Sequence, residues 1–401
     1  MELTFLYDVV CPYAWMASTQ VEALARRTGA TLIWKPVLLG GIFKNIGGPV
    51  VPAATWSAAK ARIGERDLYR QAERLGLPLQ KPEQHPRRTV QAMRLCAAAS
   101  DELRPALSAA LYRAYWVDGL DVADPEVLAP IARAHGLDPA VASDAAIKER
   151  LVENTAFAAE RGAFGVPTFL VGERLWWGAD RMHLVEQALG GQPAQPRTPR
   201  GEGGQRLTFF HDFSSPFSYL ASTQVARIAA EHGASLDWRP VLVGALFREI
   251  GTPDVPLLAM AEPKQRWYRQ DMADQARWLG VPFRFPSVFP VRSVLPNRVA
   301  LAEPAATPHL YRALWAEDRD ISQREVVAAV LREAGLDAEA ALAAAETDAV
   351  KAQLRANTAD AVAAGAAGVP TFVVDDRVLI WGVDRLDHVE AALAGWRPAR
   401  G

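Results

Sequence analysis

Cysteine is nearly absent: Cys11 and Cys96 are the only two in 401 residues. That excludes a disulfide framework and suits a reducing compartment, so the cytoplasm is the expected location. No apolar run approaches the length of a membrane span, so no membrane association is expected. The opening "MELTFLYDVV" has an acidic residue at position 2 and no basic stretch. It reads as a first strand and not as a signal peptide. The seven histidines are dispersed, without HExxH spacing or cysteine partners, and no metal is expected. No glycine-rich phosphate loop is apparent. Neither charge sign dominates: 44 basic side chains stand against 46 acidic ones, with no long block of either. A nucleic-acid partner is therefore not expected. Half of the residues are hydrophobic, and the length calls for two domains or more.

What the chain does contain, it contains twice. "LTFLYDVVCPYAWMASTQV" from Leu3 returns as "LTFFHDFSSPFSYLASTQV" from Leu207. "WKPVLLGGIF" at Trp34 returns as "WRPVLVGALF" at Trp238, and "GVPTFLV" at Gly165 as "GVPTFVV" at Gly368. "WGADRMHLVEQAL" at Trp177 returns as "WGVDRLDHVEAAL" at Trp381. The order is kept over each half, which is a domain duplication and not a short-period solenoid. Between the copies, "GGQPAQPRTPRGEGGQ" is rich in Gly and Pro and lacks apolar periodicity. The expected organisation is copy one at 1–190, a linker at 191–205 and copy two at 206–396.

Within a copy the pattern predicts strand, helix and strand, then a helical block, a hairpin and a closing helix. "ELTFLYD" is an apolar strand, and Pro12 suits the first turn of the helix that follows. Helical spacing from Ala14 to Thr28 ends at Gly29, a fitting C-cap. "TLIWKPVLL" is a second strand, and residues from Thr55 to Arg161 form several helices. "PTFLVGERLWWG" is a hairpin and "DRMHLVEQAL" an amphipathic helix. This is the order of an α/β thioredoxin fold with an all-helical insertion between the second and third strands, present in two tandem domains.

Such a fold places a nucleophile at the N-terminus of its first helix, where unpaired N–H groups favour negative charge. Copy one has "CPYA", with Cys11 but Ala14 in the resolving position. Copy two has "SPFS", with Ser215 and Ser218. Neither copy can form a Cys-x-x-Cys disulfide. Cys11 reads either as a buried small residue or, from its place at a helix start, as a thiol of low pKa. Cys96 lies on an apolar helical stretch and reads as core. Ser215 reads as an N-cap or as a donor to an anion. Pro167 and Pro370 stand where this fold opens its third strand with a cis proline.

Taken together, these residues resemble a known group. "DFSSPFSYLAS", "WRPVLVGALF", "PKQRWYRQDM", "FPVRS", "GVPTF" and "WGVDRL" carry the likeness in copy two. "DVVCPYAWMAS", "WKPVLLGGIF", "AAKARIGERDL", "HPRRT", "GVPTF" and "WGADRM" carry it in copy one. Both copies resemble the DsbA-like thioredoxin superfamily, and more closely 2-hydroxychromene-2-carboxylate isomerases and kappa-class glutathione transferases.

The resemblance implies glutathione as cofactor. It implies that Ser215 hydrogen-bonds the glutathione sulfur and favours its thiolate. By the same likeness the backbone of Val369, before Pro370, pairs with the cysteinyl part, Asp384 takes the γ-glutamyl amine, and Lys264 reaches the glycyl carboxylate. Lys60, Val166, Pro167 and Asp180 are the copy-one counterparts, with Cys11 at the serine's place. The implied activity is isomerisation of an aromatic keto acid or related conjugated carbonyl through reversible thiolate addition. The alternatives are a glutathione transferase, a thiol-disulfide oxidoreductase using Cys11, or a silent binding domain in one copy. Trp177 and Trp381 are candidate pocket walls. Arg88 and Arg292 replace an asparagine common in the group, and Ile63 and Trp267 replace a tyrosine. Single-copy members pair as dimers, so an intrachain pseudo-dimer is expected, with a small aromatic molecule as substrate.

Overall fold

The structure is a computed structural model that describes residues 1–47, 52–193 and 198–399. Of the expected linker, residues 194–197 lie outside the described residues.

Copy one begins with β1 (Glu2–Tyr7), α1 (Pro12–Ser18), α2 (Val21–Thr28) and β2 (Thr31–Pro36). The helical block follows: α3 (Leu39–Asn45), α4 (Ala58–Arg74), α5 (Val90–Ala98), α6 (Arg104–Trp116), α7 (Pro125–Ala134) and α8 (Ala145–Glu160). It closes with the hairpin β3 (Thr168–Val171) and β4 (Arg174–Trp177), then α9 (Met182–Ala188). Copy two runs β5 (Arg206–His211), α10 (Pro216–Glu231), β6 (Ser235–Pro240), α11 (Val243–Glu249) and α12 (Glu262–Leu279). It continues through α13 (Val294–Ala302), α14 (Thr307–Trp315), α15 (Arg324–Glu333), α16 (Ala338–Ala345) and α17 (Asp348–Ala364). Its hairpin is β7 (Thr371–Val374) and β8 (Val378–Trp381), and α18 (Leu386–Leu393) follows.

Each copy has one four-stranded sheet, in the orders β2-β1-β3-β4 and β6-β5-β7-β8. The first strand runs parallel to the second and antiparallel to the third. From Leu3 to Tyr7 every residue of β1 is buried, and β5 is buried from Leu207 to His211. Central strands covered on both faces need continuous rather than alternating apolar sequence, which "LTFLY" and "LTFFH" supply. The tandem thioredoxin-like fold with helical insertions is thus observed.

One expected helix is divided. Copy one breaks at Thr19–Gln20, while copy two continues as the 16-residue α10. The Gln20 side-chain amide donates to the Met16 carbonyl at 3.1 Å, and its backbone N–H turns to Ala17 instead. In copy two the corresponding Gln224 amide bonds Thr223, away from the ladder. A side chain that takes a backbone carbonyl competes with the helix. Gly29 ends α2 in the left-handed conformation, as expected of a glycine C-cap.

The chain divides into two compact units, and neither is contiguous in sequence. The first comprises Met1–Thr55, Leu68–Gln195 and Ala261–Trp267. The second comprises Trp56–Asp67, Pro196–Met260 and Tyr268–Gly401. The opening turns of α4 therefore belong to the second unit, and those of α12 to the first.

Candidate functional site

The helix starts are built alike. Cys11 and Ser215 are the N-cap residues of α1 and α10, with nearly identical extended backbones, and Pro12 and Pro216 follow in the first turn. The loop leading to each is tied from behind. Trp116 donates its indole N–H to the Val9 carbonyl, and Trp315 donates to the Phe213 carbonyl, each at 2.8 Å. Asp8 and Asp212 are fully enclosed and accept from this loop and from the turn after the second strand. Asp8 accepts from the N–H groups of Val10 and Leu39, and Asp212 from those of Ser214 and Val243. Thr89 donates to Asp8 at 2.7 Å, and Ser293 likewise bonds Asp212. Burial raises both carboxyl pKa values, and these donors oppose the rise. The sequence marked these aspartates only as shared letters. Their repetition beside the variable pair was the available signal.

The two starts differ in chemistry. The Ser215 hydroxyl donates to the Val369 carbonyl at 3.2 Å and accepts from the Ser218 N–H at 3.2 Å. It is both cap and neighbour of the proline loop. The Cys11 thiol donates to the Val166 carbonyl at 3.1 Å and makes no capping bond. Burial pushes that thiol up to about 12, and the Ala14 and Tyr13 N–H groups only partly offset it. The low-pKa reading of Cys11 is thereby corrected: desolvation outweighs the helix start. Cys96 is also buried and reduced, with its thiol pushed up to about 11 by burial.

Val166-Pro167 and Val369-Pro370 are cis, as are His85-Pro86 and Phe289-Pro290. The N–H groups of Val166 and Val369 have no hydrogen-bond acceptor among the described residues. Asp180 and Asp384 lie in 3₁₀ turns, Ala179–Arg181 and Val383–Arg385, just before the closing helices. Gly178 and Gly382 precede them with φ of 103° and 105°. A Cβ at either glycine would collide with the carboxylate of Asp180 or Asp384. Glycine here lets the carboxylate fold back toward the hairpin end.

The lysines group differently from the expectation. Lys264 was expected beside Ser215, but it belongs to the first unit, which holds Cys11, Val166, Pro167 and Asp180. Its ammonium lies 5.1 Å from the ring of Trp177 and 5.8 Å from that of Phe164. Lys60 belongs to the second unit, with Ser215, Val369, Pro370 and Asp384. There Ala59 and Ile63 of the same turn pack in one cluster with Val369, Ala367 and the partly buried Trp381. Burial lowers the pKa of Lys60. In the same unit Arg385 binds Asp67 with two contacts, at 2.7 and 2.9 Å. Repeat alignment keeps register but does not say into which unit a helix turn packs.

A further difference lies beneath the sheet. His211 occupies the place of Tyr7, within the rings of Phe209, Phe213, Trp238 and Tyr311. Its Nδ1 is 2.9 Å from the Tyr311 hydroxyl. Burial brings its pKa down to about 3, so the ring is neutral at ordinary pH. Tyr7 instead bonds Ser108 at 2.7 Å.

No cluster of three or more metal-ligating side chains occurs among the described residues. No helix among them is long and apolar enough to cross a membrane.

A buried carboxylate behind a helix N-cap, a cis proline facing that cap and an inserted helical block define a thioredoxin-like protein of the DsbA kind. Residues 2–190 and 206–394 each match the DSBA-like thioredoxin domain, and the chain belongs to that family. The 2-hydroxychromene-2-carboxylate isomerase of Pseudomonas sp. (strain C18) is 29% identical over 194 residues, 47% of this chain and 90% of its own length. Glutathione S-transferase kappa 1 of Rattus norvegicus is 28% identical over 214 residues, 49% of this chain and 94% of its own. A solved 2-hydroxychromene-2-carboxylate isomerase shares 25% identity at a TM-score of 0.42, covering 47% of this chain and 95% of that one. Each of these relatives has the length of one copy.

Proposed function

We propose that the chain is a glutathione-dependent isomerase acting on an aromatic keto acid or a related conjugated carbonyl, with its working site in the second unit. The observation that carries this reading is the Ser215 hydroxyl, held at a helix start 3.2 Å from the Val369 carbonyl. The residues present fit glutathione. Ser215 offers a hydroxyl for the sulfur, Val369 a free N–H for the cysteinyl backbone, Asp384 a carboxylate for the amine, and Lys60 an ammonium for the glycyl carboxylate. Bound there, glutathione supplies the nucleophilic sulfur that adds reversibly to the conjugated carbon.

The chain's own part is to bind and orient. For Ser215 to serve the sulfur, its O–H turns from the Val369 carbonyl while the Ser218 N–H holds its oxygen in place. A hydrogen bond to a charged acceptor is worth roughly 1.5–3 kcal/mol, about ten- to a hundredfold in equilibrium. Phe283, Phe285 and Phe289 pack on Trp315, which is bonded to the loop before Ser215. The Arg269 guanidinium lies 5.0 Å over the Phe285 ring.

The neutral, buried thiol of Cys11 favours this reading over thiol-disulfide chemistry in copy one. Pairing of the copies within the chain and a cytoplasmic setting belong to the same proposal. Calorimetric titration with glutathione and turnover of an aromatic keto acid test it. Binding, with turnover that needs glutathione and falls in Ser215→Ala, supports it. An absence of binding, or equal turnover without glutathione, rejects it.

A further inference from the structure

Phe164, Trp177 and Trp267 of the first unit pack against one another as a three-ring aromatic box whose outer faces meet cations. Their ring centroids lie 5.0, 5.5 and 5.3 Å apart, pair by pair. Phe164 and Trp267 are almost fully buried. The Lys264 ammonium stands over two of the rings, and the Arg181 guanidinium lies 5.8 Å from the third. The box is peculiar to this unit. Repeat alignment puts Ala367 at the place of Phe164 and Ile63 at the place of Trp267, and leaves only Trp381 in common.

We propose that this box retains Lys264 against its ring faces, so that the chain takes up one glutathione, in the second unit. The inference rests on the glutathione reading above. Ring faces carry the negative part of the aromatic quadrupole and attract an ammonium. The same faces repel a carboxylate that approaches the lysine from their side. A glycyl carboxylate in the first unit would therefore compete with the rings for Lys264, at a place where Cys11 already offers a neutral thiol instead of a hydroxyl. In the second unit Lys60 lies 5.0 Å from a single ring, that of Trp56, and small or aliphatic side chains replace the other two.

The test uses the full chain with its lysines reductively methylated with ¹³C. The Lys264 methyl signal is expected far upfield from ring currents, and to move downfield in Phe164→Ala. Added glutathione should displace the Lys60 signal, leave that of Lys264 in place, and titrate at one equivalent per chain. Two equivalents, or a glutathione shift at Lys264, overturn the inference while leaving the glutathione reading intact. No binding at all rejects that reading and the inference with it. As a second arm, Phe164→Ala and Trp267→Ile, set against Cys11→Ser alone as a control, give the first unit the residues of the second at the two box positions. If the folded double variant takes up two equivalents and the control one, the box is the barrier; if the double variant stays at one, or the control reaches two, the proposal falls.

Discussion

Arg385 and Asp67 face each other across two parallel hydrogen bonds of 2.7 and 2.9 Å, although more than 300 positions separate them in sequence. Arg385 is nearly buried, with 10% of its side chain exposed, and Asp67 keeps 21%. Removing Asp67 takes away this two-point partner and leaves the Arg385 guanidinium beside Asp384, 3.5 Å away. Asp67→Ala is expected to cost about 1–3 kcal/mol, below the roughly 3–5 kcal/mol of a fully buried pair, because Asp67 retains some solvent and Asp384 stays beside the arginine. Urea denaturation checks this, and a loss below roughly 0.5 kcal/mol would place the pair with ordinary surface contacts.

Ser215 has two separable duties. Ser215→Ala removes the cap on the Ser218 N–H and is expected to lower stability by about 1 kcal/mol. It also removes the proposed donor to sulfur, so turnover should fall about ten- to a hundredfold. Ser215→Asp restores a capping oxygen but, ionised, has no proton to give the sulfur, so it should recover melting temperature without recovering turnover. Recovery of both would mean that the serine acts only as a cap.

The Cys11 thiol is expected to resist alkylation at pH 8 in the folded chain and to react once the chain is unfolded. Its folded pKa of about 12 lies above the ordinary thiol value. The neutral form is therefore the one the fold favours, and its contribution is complete below about pH 9 and lost as pH rises toward 12. Cys11→Ala should make the alkaline limb of a plot of melting temperature against pH shallower, with buried Cys96 and the buried tyrosines Tyr7, Tyr112 and Tyr311 leaving part of it in place. Rapid labelling of folded protein, read by mass spectrometry, would contradict the assignment.

His211 acts at the opposite end of the pH scale. Its folded pKa near 3 lies below the ordinary imidazole value, so the neutral ring is favoured. Its contribution is complete above about pH 6.5 and is lost as pH falls toward 3. His211→Tyr, the residue that copy one carries, should make the acid limb shallower. His85, brought down to about 4 by burial and then by Lys81, will leave part of that limb in place. An unchanged limb in the variant would show that His211 does not govern acid unfolding.

Much of this was legible in the letters. The duplication, the strand that ends at the aspartate, the prolines at helix starts and the GVPTF turns were plain, because each depends on local chain chemistry. Three things were not. The break at Thr19–Gln20 turns on where one glutamine amide points, and Gln224 is the same residue with a different bond. The state of Cys11 turns on burial, which a helix-start motif does not report. The grouping of Lys60 with Ser215 turns on which body receives the first turns of a long helix, and identical registers in two copies are silent on that.

The crossed membership of residues 56–67 and 261–267 has a consequence for how the two copies can change over time. A substitution at Lys60 or Asp67 is written in the first half of the gene but felt by the body that holds Ser215. Each body is therefore built from both halves of the sequence, and a change in one half reaches the packing of both bodies.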